Sequence, residues 1–485
     1  MAIAAQPDRT LEELPFSNSF AALGEPFAER RTPAGLPDAR LVAWSPAAAE
    51  LIALRSSEVE RPEFVALVSG NAIVRGMEPV ASIYGGHQFG VWAGQLGDGR
   101  AILLGETAGP WELQIKGAGM TAFSRGADGR AVIRSTVREF LASEAMDALG
   151  VPTTRALAMT AGSEPVLRER VERAATVIRL APSFLRFGSF EIFHYRDRRA
   201  EVRRLADYAV ERFFPAAAAL DGAARYARFF ASVVERTAVL MAHWQAVGFA
   251  HGVMNTDNFS ILGLTLDYGP YGFIEAYDPG FICNHTDSLG RYAFDRQPTI
   301  GLWNCYALAQ SLSTLIAEDE RTAILATYEP AFWDAYATLL VAKLGLADSV
   351  DARRLLPDLL ELLAARRVDW TRFWRALSHD DARALALTAD DETSRAWFAR
   401  YAALSAADAR GDDLRHAAMR AVNPKYVLRN WVAQQAIEAC EAGDDTVVRA
   451  VYDVLRAPFD EHPEHAAWAQ PAPPEYAHLS VSCSS

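Results

Sequence analysis

Six of the seventeen residues from Ile83 to Gly99 are glycine. Glycine is dear to order, so such a density predicts a backbone that turns sharply or approaches something closely. Whatever this chain folds into must place that segment where side chains would be in the way. His87, inside the run, has no role that the pattern alone explains.

Around it the hydrophobic period changes along the chain. Ala101–Glu106 and Trp111–Lys116 alternate as strands, joined by Thr107-Ala108-Gly109-Pro110 as a short hairpin. Trp111, Leu113 and Ile115 face one way, and Glu112, Gln114 and Lys116 the other. A helix follows, with Ser135 as its expected N-cap and Gly150 with Pro152 as its stop. A strand pattern returns at Ala175–Leu180, and a helix is expected near Ala47–Leu54. From about Ala200 the pattern is helical, with a long helix over Tyr226–Val247 and a loop-rich interruption at 251–300. The expectation is an α+β fold of a β-rich first part and an α-rich second part, with a cleft between them.

Composition narrows the partners. Lys and Arg number 48 against 61 Asp and Glu, a net charge of −13, which argues against a general binder of nucleic acid or anionic membrane. No apolar run approaches a membrane span, and Met1 to Thr10 has no secretory pattern, so a cytoplasmic enzyme is expected. Four cysteines in 485 residues form no disulfide scaffold. Cys305 and Cys440 lie in apolar helical patterns and read as buried, while Cys483 stands in a small polar tail.

The segment that carries chemistry is His251-Gly252-Val253-Met254-Asn255-Thr256-Asp257-Asn258, followed by Asp267-Tyr268-Gly269. Kinase-type phosphotransferases space a His, a catalytic Asp and an Asn in this way, then place Asp-Phe-Gly. A carboxylate and an amide on adjacent loops suit a divalent cation bridging phosphate oxygens, and Asn258 and Asp267 supply them. The catalytic Asp position holds Val253, which cannot accept a proton; the nearest carboxylate is Asp257. Gly94, Gly97 and Gly99 also depart from the kinase glycine loop. Taken singly, each feature has a plainer reading. Lys116 fits a solvated strand end, Glu139 a dipole-favoured carboxylate, and Asp257 a turn residue. Arg179 and Arg186 fit surface partners of Glu169, Glu172 or Glu191, and His251 a loop brace. Lys116 on a strand, Glu139 on a helix, Asn258 and Asp267 gain weight from their order.

On these words the chain resembles the selenoprotein O, or YdiU, family of protein adenylyltransferases. The matching stretches include Ile83–Gly90, Leu113–Gly119, Asp128–Val132, Ser183–Glu191, Met254–Asn258, Phe281–His285, Asn423–Asn430 and the Ser482–Ser485 tail. The resemblance implies a protein-kinase-like two-lobed fold with a β-rich N-terminal lobe and a larger α-helical C-terminal lobe. Its divisions would be an N-terminal extension over 1–80, a nucleotide-binding lobe over 81–190, and a helical lobe over 191–485. The activity implied is transfer of AMP from ATP to Ser, Thr or Tyr hydroxyls of proteins, with UMP as a further donor group, releasing pyrophosphate. The nucleotide would lie reversed relative to a kinase, its triphosphate tail met by Lys116, Arg179 and Arg186. Gly97, Gly99, Arg100, Asp128, Gly129 and Asp267 would also line the ATP site. Asp257 is carried over as general base, Asn258 and Asp267 as ligands of Mg²⁺ or Mn²⁺, and Glu139 as the residue orienting Lys116. Cys283 and Cys483 would form a redox pair tethering the tail. Protein substrates are the partners implied; neither nucleic acid nor membrane is expected, and a monomer is. The alternatives are a γ-phosphate kinase, which Val253 disfavours, and an ATP-binding pseudokinase scaffold, which has no need of Lys116, Asp257, Asn258 and Asp267 together.

Overall fold

The computed structural model describes residues 8–107, 109, 111–407, 410–476, 479 and 481–482. Its centre is an antiparallel sheet. The strands are β1 (Ala28–Arg30), β2 (Arg40–Trp44), β3 (Val80–Ser82), β6 (Ala101–Thr107), β7 (Trp111–Lys116), β8 (Ala131–Val132), β9 (Arg155–Leu167) and β10 (Val171–Ala181). Their order is β1-β3-β6-β7-β10-β9-β2, with β8 pairing β10 off that path. Both edge strands come from the first 44 residues, so the N-terminal segment is woven into the sheet. Between β3 and β6 the glycine-rich run folds as a separate hairpin, β4 (Gly85–Gln88) and β5 (Val91–Gln95).

The alternation in β7 decides what each face of the sheet carries. Leu113 and Ile115 join a core that includes Ala48 and Ile52 of α1 (Pro46–Leu51 and its C-cap) and Phe64 and Leu67 of α2 (Pro62–Val68). Glu112, Gln114 and Lys116 point to the opposite face and are buried too. On that face lies α3 (Ile133–Ala148). This helix begins three residues earlier than the pattern suggests. Val132 is its N-cap; Ser135 lies inside the first turn, where its hydroxyl donates to Val132 O at 3.1 Å. The strand β8 runs straight into the helix, and this leaves Ser135 no capping position. The β6–β7 connection pairs Thr107 with Trp111; Ala108 and Pro110 of the expected turn lie outside the described residues.

After β10 the chain is helical. It runs through α4 (Phe187–His194), α5 (Arg199–Phe213), α6 (Pro215–Ala218) and α7 (Gly222–Val247). Gly248, at φ 75°, ends α7 in the left-handed conformation that glycine adopts freely. The short pair β11 (Phe249–Ala250) and β12 (Gly272–Phe273) brackets a loop with a 3₁₀ turn at Thr256–Asn258. The helix α8 (Gln297–Ser311) and further helices up to Arg456 complete the fold. A second, larger apolar core runs from Val42 and Phe140 beside the sheet to Leu308 and Leu455 among the helices. No helix among the described residues is long and apolar enough to cross a membrane.

Candidate active site

A cavity of about 490 Å³ opens between the sheet and the 253–270 loop, within the range of small-molecule sites. The sheet supplies its cations. Lys116 ends β7, and Arg179 of β10 lies opposite Gln114 in register, so both side chains leave the same face. Lys116 Nζ donates to Glu139 Oε2 at 2.6 Å, and Arg179 Nη1 to Glu139 Oε1 at 2.8 Å. Glu139 reaches this position because Ile133, Val137 and Phe140 turn the opposite side of α3 into the core. Burial alone would raise the Glu139 carboxyl, but Lys116 and Arg179 hold it below its ordinary range. Burial pulls Lys116 down, against the pull of Glu139 and Asp267.

Asp267 is the hub. Arg179 Nη1 donates to its Oδ1 at 2.5 Å, Arg186 Nη1 to its Oδ2 at 2.8 Å, and Lys116 Nζ lies 3.4 Å from Oδ1. Burial opposes its ionisation, yet Arg179, Arg186 and Lys116 together keep it well below the usual carboxylate range. Both arginines are only 2 % exposed. The plainer reading of them as surface residues therefore fails: Glu172 pairs with Arg134 and Glu191 with His87. Arg186 also donates to the backbone oxygen of Asp257 at 2.7 Å and stacks on the Tyr84 ring at 4.6 Å.

Gly97, Gly99, Arg100, Asp128, Gly129 and Asn258 line the same cavity. Close approach explains two of these glycines. A Cβ on Gly97 would meet Phe123 Cγ at 2.5 Å, and one on Gly129 would meet the Gly119 carbonyl at 2.2 Å. Asp128 accepts from Arg130 N at 2.8 Å and Arg168 Nη1 at 2.7 Å; Arg168 above all lowers its pKa. Asn258 donates its amide to Val253 O at 3.0 Å, leaving the amide oxygen as the donor a hard cation takes. Among the described residues no three His, Cys, Asp or Glu gather as a metal cluster. Asn258 and Asp267 thus fit a divalent cation that draws its remaining ligands from phosphate oxygens and water.

Asp257 does not line the cavity. It lies directly behind it, 8 % exposed, under the β4–β5 hairpin. Gln88 Nε2 reaches its Oδ2 at 3.4 Å, while its Oδ1 is buried with no hydrogen-bond partner. A Cβ on Gly86 would come within 2.7 Å of that Oδ1. Burial pushes the Asp257 carboxyl up to about 7, with Arg186 pulling the other way. His251 braces the loop, stacking on Trp244 at 5.0 Å and bonding Leu266 O at 2.8 Å, the residue before Asp267.

Cys283 is buried, its thiol pushed up to about 12 by desolvation, and it lies 3.4 Å from Ala250 O. Cys483 lies outside the described residues. Cys305 and Cys440 are buried and free.

The sequence reading missed Gln114, Asp98, Tyr84 and Arg168. Gln114 bonds both Arg179 and, at 3.3 Å, Asp98. It stands two residues before Lys116 on the same strand face, a signal the alternation already held. Arg168 meets Asp128 only because the β9–β10 hairpin folds over it, and no local pattern marks that.

A cavity walled by buried cations, with two hard-oxygen donors at its edge, has the chemistry that suits a polyphosphate-bearing ligand. The chain belongs to the protein adenylyltransferase SelO family, whose model matches residues 10–456. It is therefore an enzyme of the nucleotidyltransferase class, and the family implies ATP as substrate and proteins as acceptors. It is 52 % identical over 488 residues to the protein nucleotidyltransferase YdiU of Myxococcus xanthus, covering 98 % of this chain and all of that one. It is 50 % identical to the YdiU nucleotidyltransferase of Thiobacillus denitrificans, with 98 % of this chain and all of that one covered. To that of Thioalkalivibrio sulfidiphilus it is 52 % identical, with 98 and 99 % covered.

Proposed function

We propose that this enzyme transfers AMP from ATP to Ser, Thr or Tyr hydroxyls of other proteins, and UMP from UTP as a second donor, on a kinase-like two-lobed frame. The observation that carries the reading is the cluster of Lys116, Arg179 and Arg186, buried at the inner end of the cavity. Three cations there suit the β- and γ-phosphates, which leaves the α-phosphorus toward the side where Asp257 lies. Glu139 holds Lys116 in place, and Gly97, Gly99, Arg100, Asp128 and Gly129 shape the remainder of the ATP site.

In the transfer, Asp257 takes the proton of the acceptor hydroxyl. The oxygen forms its bond to the α-phosphorus as the bond to the bridging oxygen of pyrophosphate breaks. Lys116, Arg179 and Arg186 hold the departing charge. Asn258 and Asp267 would hold Mg²⁺ or Mn²⁺, which would supply neutralisation of phosphate charge. Val253 offers no base for γ-transfer. Incubation with α-³²P-ATP and γ-³²P-ATP in parallel tests the reading: label reaches protein from the α position alone. Label from γ alone would make the enzyme a kinase, and none from either a scaffold.

The Cys283–Cys483 pair belongs to the same proposal. Its support is the tail, where His285 N donates to Val481 O at 3.0 Å, two residues from each cysteine. An oxidant of the thiol–disulfide class would take the two electrons and two protons. Peptide mapping after oxidation that finds both thiols free would end this part of the reading.

A further inference from the structure

Around the β4–β5 hairpin the surface becomes apolar and ordered. Val91 and Leu289 are 70 and 88 % exposed, and Tyr195 is 47 % exposed. A ridge of rings starts at Tyr195. Tyr195 packs on Trp92 with centroids 4.2 Å apart, Trp92 lies 5.3 Å from His87, and His87 meets Trp303 edge-on at 5.3 Å. The Arg291 guanidinium then lies over Trp303 at 4.9 Å, and it also closes on the hairpin tip, where a Cβ on Gly90 would meet its Cζ at 2.8 Å. His87 is pinned from below by Glu191, Nδ1 to Oε1 at 2.5 Å. Ordered, exposed apolar surface of this kind marks a place where another molecule sits.

Two observations say which molecule. The ridge is continuous with the candidate site, because one hairpin carries both. Gly86 and Gln88 cover Asp257 from one face of the hairpin, while His87 and Trp92, paired across it, turn to the other, and His87 N donates to Thr256 Oγ1, beside Asp257, at 2.7 Å. Arg291, moreover, has no carboxylate within ion-pair distance among the described residues, although the chain holds 61 acidic side chains to 48 basic ones. A cation left on an apolar ridge is complementary to an incoming carboxylate.

We propose that this ridge docks the acceptor protein, taking an extended segment that carries an apolar side chain and a carboxylate close to the hydroxyl to be modified. The apolar side chain covers Trp92 and Tyr195, and the carboxylate pairs with Arg291. The proposal rests on the nucleotidyl-transfer reading above.

The test uses the full chain, α-³²P-ATP and synthetic peptides with a central Ser, Thr or Tyr flanked by Leu and by either Glu or Lys. The wild type is expected to label the Glu peptides with a kcat/KM about tenfold above the Lys peptides. Tyr195→Ala and Trp303→Ala, which each take one ring from the ridge, raise the KM for the Glu peptides about tenfold and leave ATP affinity, read by calorimetry, within twofold. Arg291→Glu reverses the preference in favour of Lys. Equal labelling of both peptide sets, or an unchanged peptide KM in both Ala variants, overturns the proposal. So does a wild type that labels lysate proteins but neither peptide set. A wild type that transfers no α-label to any acceptor sinks the parent reading instead.

Discussion

Asp267 sits at φ 58°, in the left-handed region that non-glycine residues rarely occupy. It is held there by Lys116, Arg179 and Arg186, and in this state it fills the role that phosphate oxygens would take. On the proposed reading, phosphate and carboxylate would therefore compete for the same three cations. Removing the carboxylate leaves buried positive charge without a partner, which is strongly destabilising. Asp267→Ala is thus expected to melt at a lower temperature than wild type. Inorganic triphosphate without added metal should raise its melting temperature by more than that of the wild type. Differential scanning fluorimetry reads both, and an equal shift in the two proteins would deny the competition. Asp257→Asn keeps the shape and the Gln88 contact but cannot accept a proton. Its turnover should fall by about 10²–10⁴-fold with little change in ATP affinity.

At the scale of elements, the glycine hairpin is shaped by what lies beneath it. Gly86 passes so close to Asp257 that any Cβ must displace the hairpin or the carboxylate. Gly86→Ala is expected to cost about 100-fold in turnover while ATP affinity stays within twofold, since a shift of about 1 Å at a reacting group has that effect. Steady-state kinetics with a separate ATP titration decides it. The β6–β7 pair offers a pH effect. Glu106 and Glu112 lie opposite each other, and Glu112 accepts from Phe184 N at 2.8 Å. Burial pushes the Glu112 carboxyl from 4.5 up to about 8. A carboxyl raised in the folded state gives stability that is whole below about 4.5 and is lost as pH climbs to about 8. Glu112→Gln does not titrate. Its melting temperature should gain on that of the wild type across this window and hold a constant lead above it. A gap that stays flat with pH would contradict this.

For the whole molecule, the two ends of the chain are tied through the sheet. Arg40 of β2 pairs with Asp445 at 2.8 Å, and Arg449 Nε donates to Val42 O at 2.9 Å. Tyr452 reaches Ser45 at 3.1 Å, and Arg456 pairs with Asp147 of α3 at 2.7 Å. The helix that carries Glu139 is thereby clamped between sheet and C-terminal helices. Asp445→Ala should lower stability in urea by about 1–3 kcal/mol, the worth of hydrogen bonds to a charged group. The transition should remain single if the core is shared as the packing indicates.

By itself the sequence determined the periodic and the punctuated features. The β7 alternation, the stop of α7 at Gly248 and the sharp turning of the glycine run were legible, because each depends on residues near one another along the chain, while Lys116, Glu139, Asn258 and Asp267 were singled out by their order rather than by nearness. The start of α3 was misread, since Ser135 has the chemistry of a cap and only the run-on from β8 removes it from that place. Tertiary structure alone decided which carboxylate each arginine meets, and that Arg168 guards Asp128. It also decided that Asp257 lies behind the cavity, under Gly86. Those outcomes depend on strands and loops far apart in the chain packing against one another. Desolvation and ion pairing act through space, and the order of residues along a chain records neither.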